Sequence, residues 1–137
     1  MDQLIMPDGL TIDEDGNKWY YLDNKLHRED GPAVEYFHRK HPAENIEEQD
    51  EYDDYGYSIT NHKEWFIHGV HHRLDYGPTI EWADGTKTWH VHGVLHRLDG
   101  PAIDRFDGQN FWFVNGKRVL CESQEEFEQL MRLRAFW

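Results

Sequence analysis

Cysteine is nearly absent from this 137-residue chain: Cys121 stands alone, so no internal disulfide framework can form. A lone thiol fits a reducing compartment, and the expectation is a cytoplasmic protein, in the host cytoplasm if it is viral. Long apolar runs are missing too. No stretch approaches the ~20 residues a membrane span needs, and Met1–Leu10 lacks the basic and apolar regions of a secretory signal. No membrane partner is expected. Basic residues are the third shortage: 14 Lys and Arg face 27 Asp and Glu, a net charge of −13. Direct binding to a nucleic-acid backbone needs clustered Lys and Arg, so this balance argues against it. High charge and a mean hydropathy of −0.91 would suit disorder, but 15% of the residues are aromatic, with 6 Trp. Disordered chains are poor in aromatics, so one folded domain with a small aromatic core is expected.

What is present is a repeat. One unit runs from Tyr20 to Val34, a second from Trp65 to Ile80 and a third from Trp89 to Ile103. Each holds an aromatic strand, a two-residue turn, the pattern His-Arg-x-Asp and then Gly-Pro. A partial fourth copy, Trp112 to Leu120, loses the part after its second strand. The spacing is 24 residues from Trp65 to Trp89 and 23 from Trp89 to Trp112. From Tyr20 to Trp65 it is 45, so about 22 residues are inserted there. The second copy also carries an extra Tyr76 before its Gly-Pro.

The units read as β-hairpins. Their turns are Asp23-Asn24, His68-Gly69, His92-Gly93 and Asn115-Gly116, and a type I′ turn needs positive φ at both central residues. Gly-Pro corners and the Asp-Gly turns at Asp15-Gly16, Asp84-Gly85 and Asp107-Gly108 then pass the chain onward. The expected fold class is an all-β repeat array, an antiparallel meander of ~23-residue hairpin units with a C-terminal capping α-helix. Its expected parts within 1–137 are a first repeat (10–37), an acidic insertion (38–61), a second (62–84), a third (85–107), a partial repeat (108–121) and the helix (122–137). Ser123 and Glu126 form a capping-box pattern, and Phe127, Leu130 and Met131 share one helical face, predicting a helix from about Ser123 to Arg134.

Strand alternation places Tyr20, Trp65, Trp89 and Trp112 on one face with Leu22, Ile67, Val91 and Val114. This is the expected core face, joined by Val34, Ile80 and Ile103. The opposite face carries Trp19, Tyr21, Phe66, His90 and Phe113, too aromatic for a solvated surface and therefore half covered or a binding surface.

The units resemble the variant MORN-like repeats of bacterial, phage and large-virus proteins. The residues that carry the likeness are His27-Arg28-Glu29-Asp30-Gly31-Pro32-Ala33 and His96-Arg97-Leu98-Asp99-Gly100-Pro101-Ala102. The stretch from His72 to Thr79 departs by Tyr76 and by Thr79 in place of Ala. The repeats cover about 80 of the 137 residues. The resemblance implies an interaction scaffold, some bacterial relatives being antitoxin-like, and it carries over no catalytic residue.

Four chemical readings follow from the residues. Ten histidines could suggest a metal, but His27, His72 and His96 fill one repeat position and His68 and His92 fill a turn position. With one Cys no thiolate zinc site is possible, and neither metal nor cofactor is expected. The pairs Arg28–Asp30, Arg73–Asp75 and Arg97–Asp99 suit clasps at the Gly-Pro corners, the His then bonding a corner carbonyl. The alternative is an anion site in which His27, Arg28, His72, Arg73, His96 and Arg97 hold a nucleotide's phosphates. Catalysis finds no phosphate loop, nucleophile elbow or His-Glu-x-x-His, although Cys121 at a helix start could have a lowered pKa; no enzyme is expected. Finally, Glu44 to Tyr55 packs seven carboxylates into twelve residues with no Lys or Arg. Its solvated-loop reading stands beside contact with a basic or DNA-binding protein. Partner contact is accordingly expected at Glu47, Glu48, Asp50, Glu51, Tyr52, Asp53, Asp54 and Tyr55, and on Phe66, His90 and Phe113. The functional expectation is a non-enzymatic binding protein that inhibits a host-defence factor or toxin. A nucleotide sponge and a structural subunit are the alternatives.

Overall fold

The structure is a computed structural model and describes residues 6–37 and 61–134. The fold is a mostly antiparallel β meander closed by one C-terminal helix. The described residues form fourteen strands: β1 (Gly9–Ile12), β2 (Lys18–Leu22), β3 (Lys25–Leu26), β4 (Val34–Tyr36), β5 (His62–Glu64), β6 (Phe66–Ile67), β7 (Val70–His71), β8 (Ile80–Trp82), β9 (Lys87–Thr88), β10 (His90–Val91), β11 (Val94–Leu95), β12 (Ile103–Asp104), β13 (Asn110–Val114) and β14 (Lys117–Val119). Helix α1 spans Gln124–Arg134. The main sheet runs β1-β2-β4-β5-β8-β9-β12-β13-β14, with β3 on β2, while β6-β7 and β10-β11 are separate hairpins.

Each unit pivots at its first aromatic residue. The N–H groups of Tyr20, Trp65 and Trp89 donate to the carbonyls of Ala33, Thr79 and Ala102, all at 2.8 Å, on the main-sheet side. Their own carbonyls accept from His27, His72 and His96 in the hairpin, at 3.0–3.2 Å. One residue thus serves two ladders, and in the two inner copies the strand breaks there. Ala33, Thr79 and Ala102 are 0% exposed, so the position after Gly-Pro must be small.

The hairpin turns follow the local rule. Asp23 and Asn24, His68 and Gly69, His92 and Gly93, Asn115 and Gly116 all have positive φ. Consecutive hairpins then stack: Gly69, Gly93 and Gly116 donate their N–H to the carbonyls of Leu26, His71 and Leu95 at 2.8–2.9 Å.

Register decides the faces, and here one expectation is corrected. Val34 pairs with Trp19, and Ile103 pairs with Phe111. Val34, Ile80 and Ile103 therefore stand in the row Trp19–Val34–Glu64–Ile80–Thr88–Ile103–Phe111, away from the Trp65 face, because cross-strand partners point the same way. A one-residue difference in register moves a strand to the other face, and a Gly-Pro corner leaves that residue undetermined locally. The neighbouring row alternates in sign: Lys18, Glu35, Lys63, Glu81, Lys87, Asp104. Opposite charges on facing strands favour this register and no other.

The Trp positions are not equally buried. Trp112 is 4% and Trp65 9% exposed, whereas Trp89 is half-buried, and an arginine covers one face of both the Trp65 and the Trp89 rings. Over the fourth copy, which lacks that arginine, α1 takes its place. Phe127 packs with Trp112 and Val114, and Trp112 Nε1 donates to Gln124 Oε1 at 2.7 Å. Ser123 caps the helix by accepting the Glu126 N–H at 3.1 Å, while the Glu126 carboxylate accepts from Glu122 rather than from the cap residue. No helix among the described residues is long and apolar enough to cross a membrane.

Candidate functional site

The corners come first, because three copies of one geometry show what the repeated residues do. Arg28, Arg73 and Arg97 lay their guanidinium groups over Tyr20, Trp65 and Trp89, at 4.0, 4.1 and 3.7 Å from the ring centroids. Their Nε groups donate to Asp30, Asp75 and Asp99 at 2.9, 2.6 and 3.0 Å. Their Nη1 groups donate to the carbonyls of Pro32, Pro78 and Pro101 at 3.1–3.2 Å. Each guanidinium is stacked, paired and bonded to the corner within its own repeat.

The histidines do something the sequence reading did not foresee. The corner carbonyl expected to meet the histidine is taken by the arginine. Instead, the Nδ1 atoms of His27, His72 and His96 accept the backbone N–H of His68, His92 and Asn115, at 2.9, 3.2 and 3.0 Å. Those donors are the first turn residues of the next hairpin, so each histidine ties one repeat to its successor. The acceptor role requires a neutral ring with its proton on Nε2. Burial, then the charge of His92, pushes the His72 pKa below its ordinary value. On the first hairpin, Asp8 Oδ1 takes the place of that histidine and accepts the Asp23 N–H at 2.8 Å.

A polar chain crosses the sheet at Glu64. This residue fills the column occupied in the other copies by Trp19, Thr88 and Phe111, between Val34 and Ile80. Its Oε2 accepts from His62 Nε2 at 3.1 Å and its Oε1 from His71 Nε2 at 2.8 Å. The His71 ring stacks on His90 at 4.9 Å and lies tilted against Phe66 at 4.1 Å, and His90 Nδ1 lies 2.7 Å from Thr79 Oγ1. Burial alone would raise the Glu64 pKa, but hydrogen bonds from both histidines, and their charge, hold it down to about 2. Burial, aided by the charge of His71, lowers His90 to about 4, with Glu64 opposing. A Glu in a column of Trp, Thr and Phe was the one sequence signal that could have flagged this chain.

The expected site residues fall into three groups. Phe66 and His90 are brought together through His71 as a run of half-buried rings, and Phe113 takes the matching strand position in the fourth hairpin. The six residues of the alternative anion ladder are joined to the corners and to the next hairpin as described. Glu47, Glu48, Asp50, Glu51, Tyr52, Asp53, Asp54 and Tyr55 lie outside the described residues. Their flanks are placed: β4 ends at Tyr36 and β5 begins at His62, so the insertion stands where other copies make their Asp-Gly turn. Tyr36 and His62 stack at 5.3 Å and His62 meets Trp82 at 4.8 Å, rimming an open groove of about 260 Å³.

Cys121 is not an activated thiol. Burial, then the nearby Glu126, raises its pKa, and its Sγ donates to the Val119 carbonyl. Among the described residues no group of three or more His, Cys, Asp or Glu side chains is placed to hold a metal ion. Some side chains that differ between copies face outward, unlike Thr79 and Glu64. Glu29, Leu74 and Leu98 occupy one repeat position, the two leucines 52% and 56% exposed. Tyr76, the extra residue of the second copy, is 74% exposed with a left-handed φ of 59°. No protein-family model, curated protein or solved structure matches the chain.

Proposed function

We propose that this chain is a non-enzymatic, repeat-built binding protein that recognises and inhibits another protein, with a basic or DNA-binding partner favoured by its charge of −13. The host-defence factor or toxin named from the sequence, a cytoplasmic setting and kinship with variant MORN-like repeats belong to the same proposal. What carries it is the comparison of the copies inside the chain. Side chains common to the copies are engaged inward: the arginines at their corners and the histidines across the repeat junctions. Among the side chains that vary, Glu29, Leu74, Leu98 and Tyr76 are turned to solvent. Tyr76 is the sharpest case. Its left-handed backbone costs ~1 kcal/mol or more, yet the first and third copies close the same corner without it. A strained, exposed aromatic that the fold does not need is a contact residue in search of a partner.

Affinity capture from lysate with the tagged full chain tests this reading. A basic protein retained at low salt and released as salt rises is expected. Deleting Tyr76, or replacing 44–55 by a Gly-Ser linker, should each weaken capture at least tenfold, ~1.4 kcal/mol, with the melt unchanged by the linker and no lower without Tyr76. Capture indifferent to both changes sinks the proposal. A nucleotide that co-purifies with the wild type and is lost from a folded Arg97→Ala variant would replace it with the nucleotide reading.

A further inference from the structure

The two ends of the main sheet are finished differently. At one end β14 begins with Lys117 and Arg118, both exposed, and α1 lies over the neighbouring Trp112. Basic side chains on an edge strand discourage further pairing. At the other end β1 reads Gly9-Leu10-Thr11-Ile12, with no charge and no proline, and among the described residues only β2 pairs with it. Leu10 is 47% and Ile12 55% exposed.

Asp13 and Asn17 face each other, and the Asp13 N–H donates to the Asn17 carbonyl at 3.1 Å. Bonding and non-bonding pairs alternate in an antiparallel ladder, so Thr11 and Gly9 also bond inward to β2. Consistently, Tyr20, the partner of Leu10, sends its N–H away from β1 to Ala33. The N–H and C=O groups of Leu10 and Ile12 therefore point outward from the sheet edge. Carboxylates bracket this apolar strip: Asp8 on one side, and Asp13, Glu14 and Asp15 on the other.

We infer that the β1 edge is a docking site for an extended segment of a partner protein, which adds as a β-strand with an apolar centre and basic flanks. This rests on the protein-binding reading above and names the strand chemistry that the module takes. Backbone groups of Leu10 and Ile12 supply the ladder, their side chains meet the apolar centre, and the flanking acids select Lys or Arg at either end. A second copy of the chain is the wrong occupant. An antiparallel β1–β1 pair that joins Leu10 to Ile12 would bring Asp8 of each copy against Glu14 of the other, and both copies carry −13.

The test uses the full chain and a synthetic peptide of alternating Val and Thr with two Lys at each end. Amide exchange by NMR should show Leu10 and Ile12 protected on peptide addition and unprotected without it. A peptide with Glu at both ends should bind at least tenfold more weakly. Ile12→Pro removes only an outward N–H, and Thr11 before it is already extended, so this variant should fold and lose the peptide. Leu10→Lys with Ile12→Lys repeats the test with the backbone intact. Absence of peptide binding, binding that leaves both amides unchanged, or full binding by these variants would overturn the inference. So would a dimer whose Leu10 and Ile12 amides are protected from the start. Lysate capture that depends on Tyr76 but survives Ile12→Pro would remove the β1 edge and leave the protein-binding reading standing.

Discussion

Gly100→Ala adds a single methyl group at a residue that is not among the glycines with positive φ. At a compatible backbone position this change ordinarily stabilises by ~0.4–1 kcal/mol, through the unfolded chain. Here the sign should reverse. The new Cβ would lie 2.5 Å from Arg97 Cζ and 2.7 Å from its Nη1. A guanidinium is the end of a flexible side chain, so it swings away and the backbone stays. The cost is then what the guanidinium leaves behind. Its half-buried stack on Trp89 is worth ~1–2 kcal/mol and its bond to the Pro101 carbonyl ~1 kcal/mol. Asp99 is 87% exposed, so that ion pair adds little. Net of the unfolded-state gain, the loss should be ~1–2.5 kcal/mol, or ~3–10 °C in Tm for a chain of this length. Urea and thermal unfolding of the wild type, Gly100→Ala, Arg97→Ala and the double variant would measure it. In the Arg97→Ala background the methyl group has room, and the substitution should be neutral or stabilising. An equal cost in both backgrounds would refute the claim that this glycine makes space for the clasp. Gly31 with Arg28 and Gly77 with Arg73 have the same geometry, at 2.8 Å, and should repeat the result.

Acid should weaken the fold through His90 and His72. Both have folded pKa values below the ordinary 6.5, His90 about 4, so the unfolded chain binds protons first as pH falls. Stability is full above about 6.5 and drains as pH drops toward 4, by ~1–2 kcal/mol from a half-exposed His90 once solvent screening is allowed for. Denaturation at pH 7 and 4.5 checks this, and an unchanged midpoint contradicts it; Glu64 acts in a separate window, from 4.5 down to about 2. His72→Ala should cost ~2–3 kcal/mol, because it leaves a cavity and orphans the His92 N–H, while Asp8→Ala at the exposed end should cost under ~1 kcal/mol; comparable losses would mean the two acceptors are not in different environments. Thr88 Oγ1 is buried without a hydrogen-bond partner, whereas Thr79 Oγ1 donates to the Thr88 carbonyl. Thr88→Val should therefore raise stability by ~1 kcal/mol and Thr79→Val lower it, and a melt that moves the other way in either variant counts against this assignment.

Much of this fold is written locally. The hairpin turns follow from residues that tolerate positive φ, such as Asn115-Gly116, and the helix start from Ser123 and Glu126. The internal repeat alone picks out the Arg–Asp clasps, since Arg and Asp two residues apart meet across a corner made by Gly and Pro. These features need only neighbours in sequence. The remaining features needed the assembled sheet. Whether Val34 faces Trp19 or Tyr20 hangs on a register that no single strand contains. The Nδ1 of His27 meets the N–H of His68 only because hairpins stack, across 41 residues of chain. Glu64 reads as a solvated charge until β4 and β8 flank it and His62 and His71 close on its carboxylate. Local conformation depends on one residue's sterics, which the sequence states; faces, junctions and buried charge depend on which distant strand lies alongside, which only the tertiary structure decides.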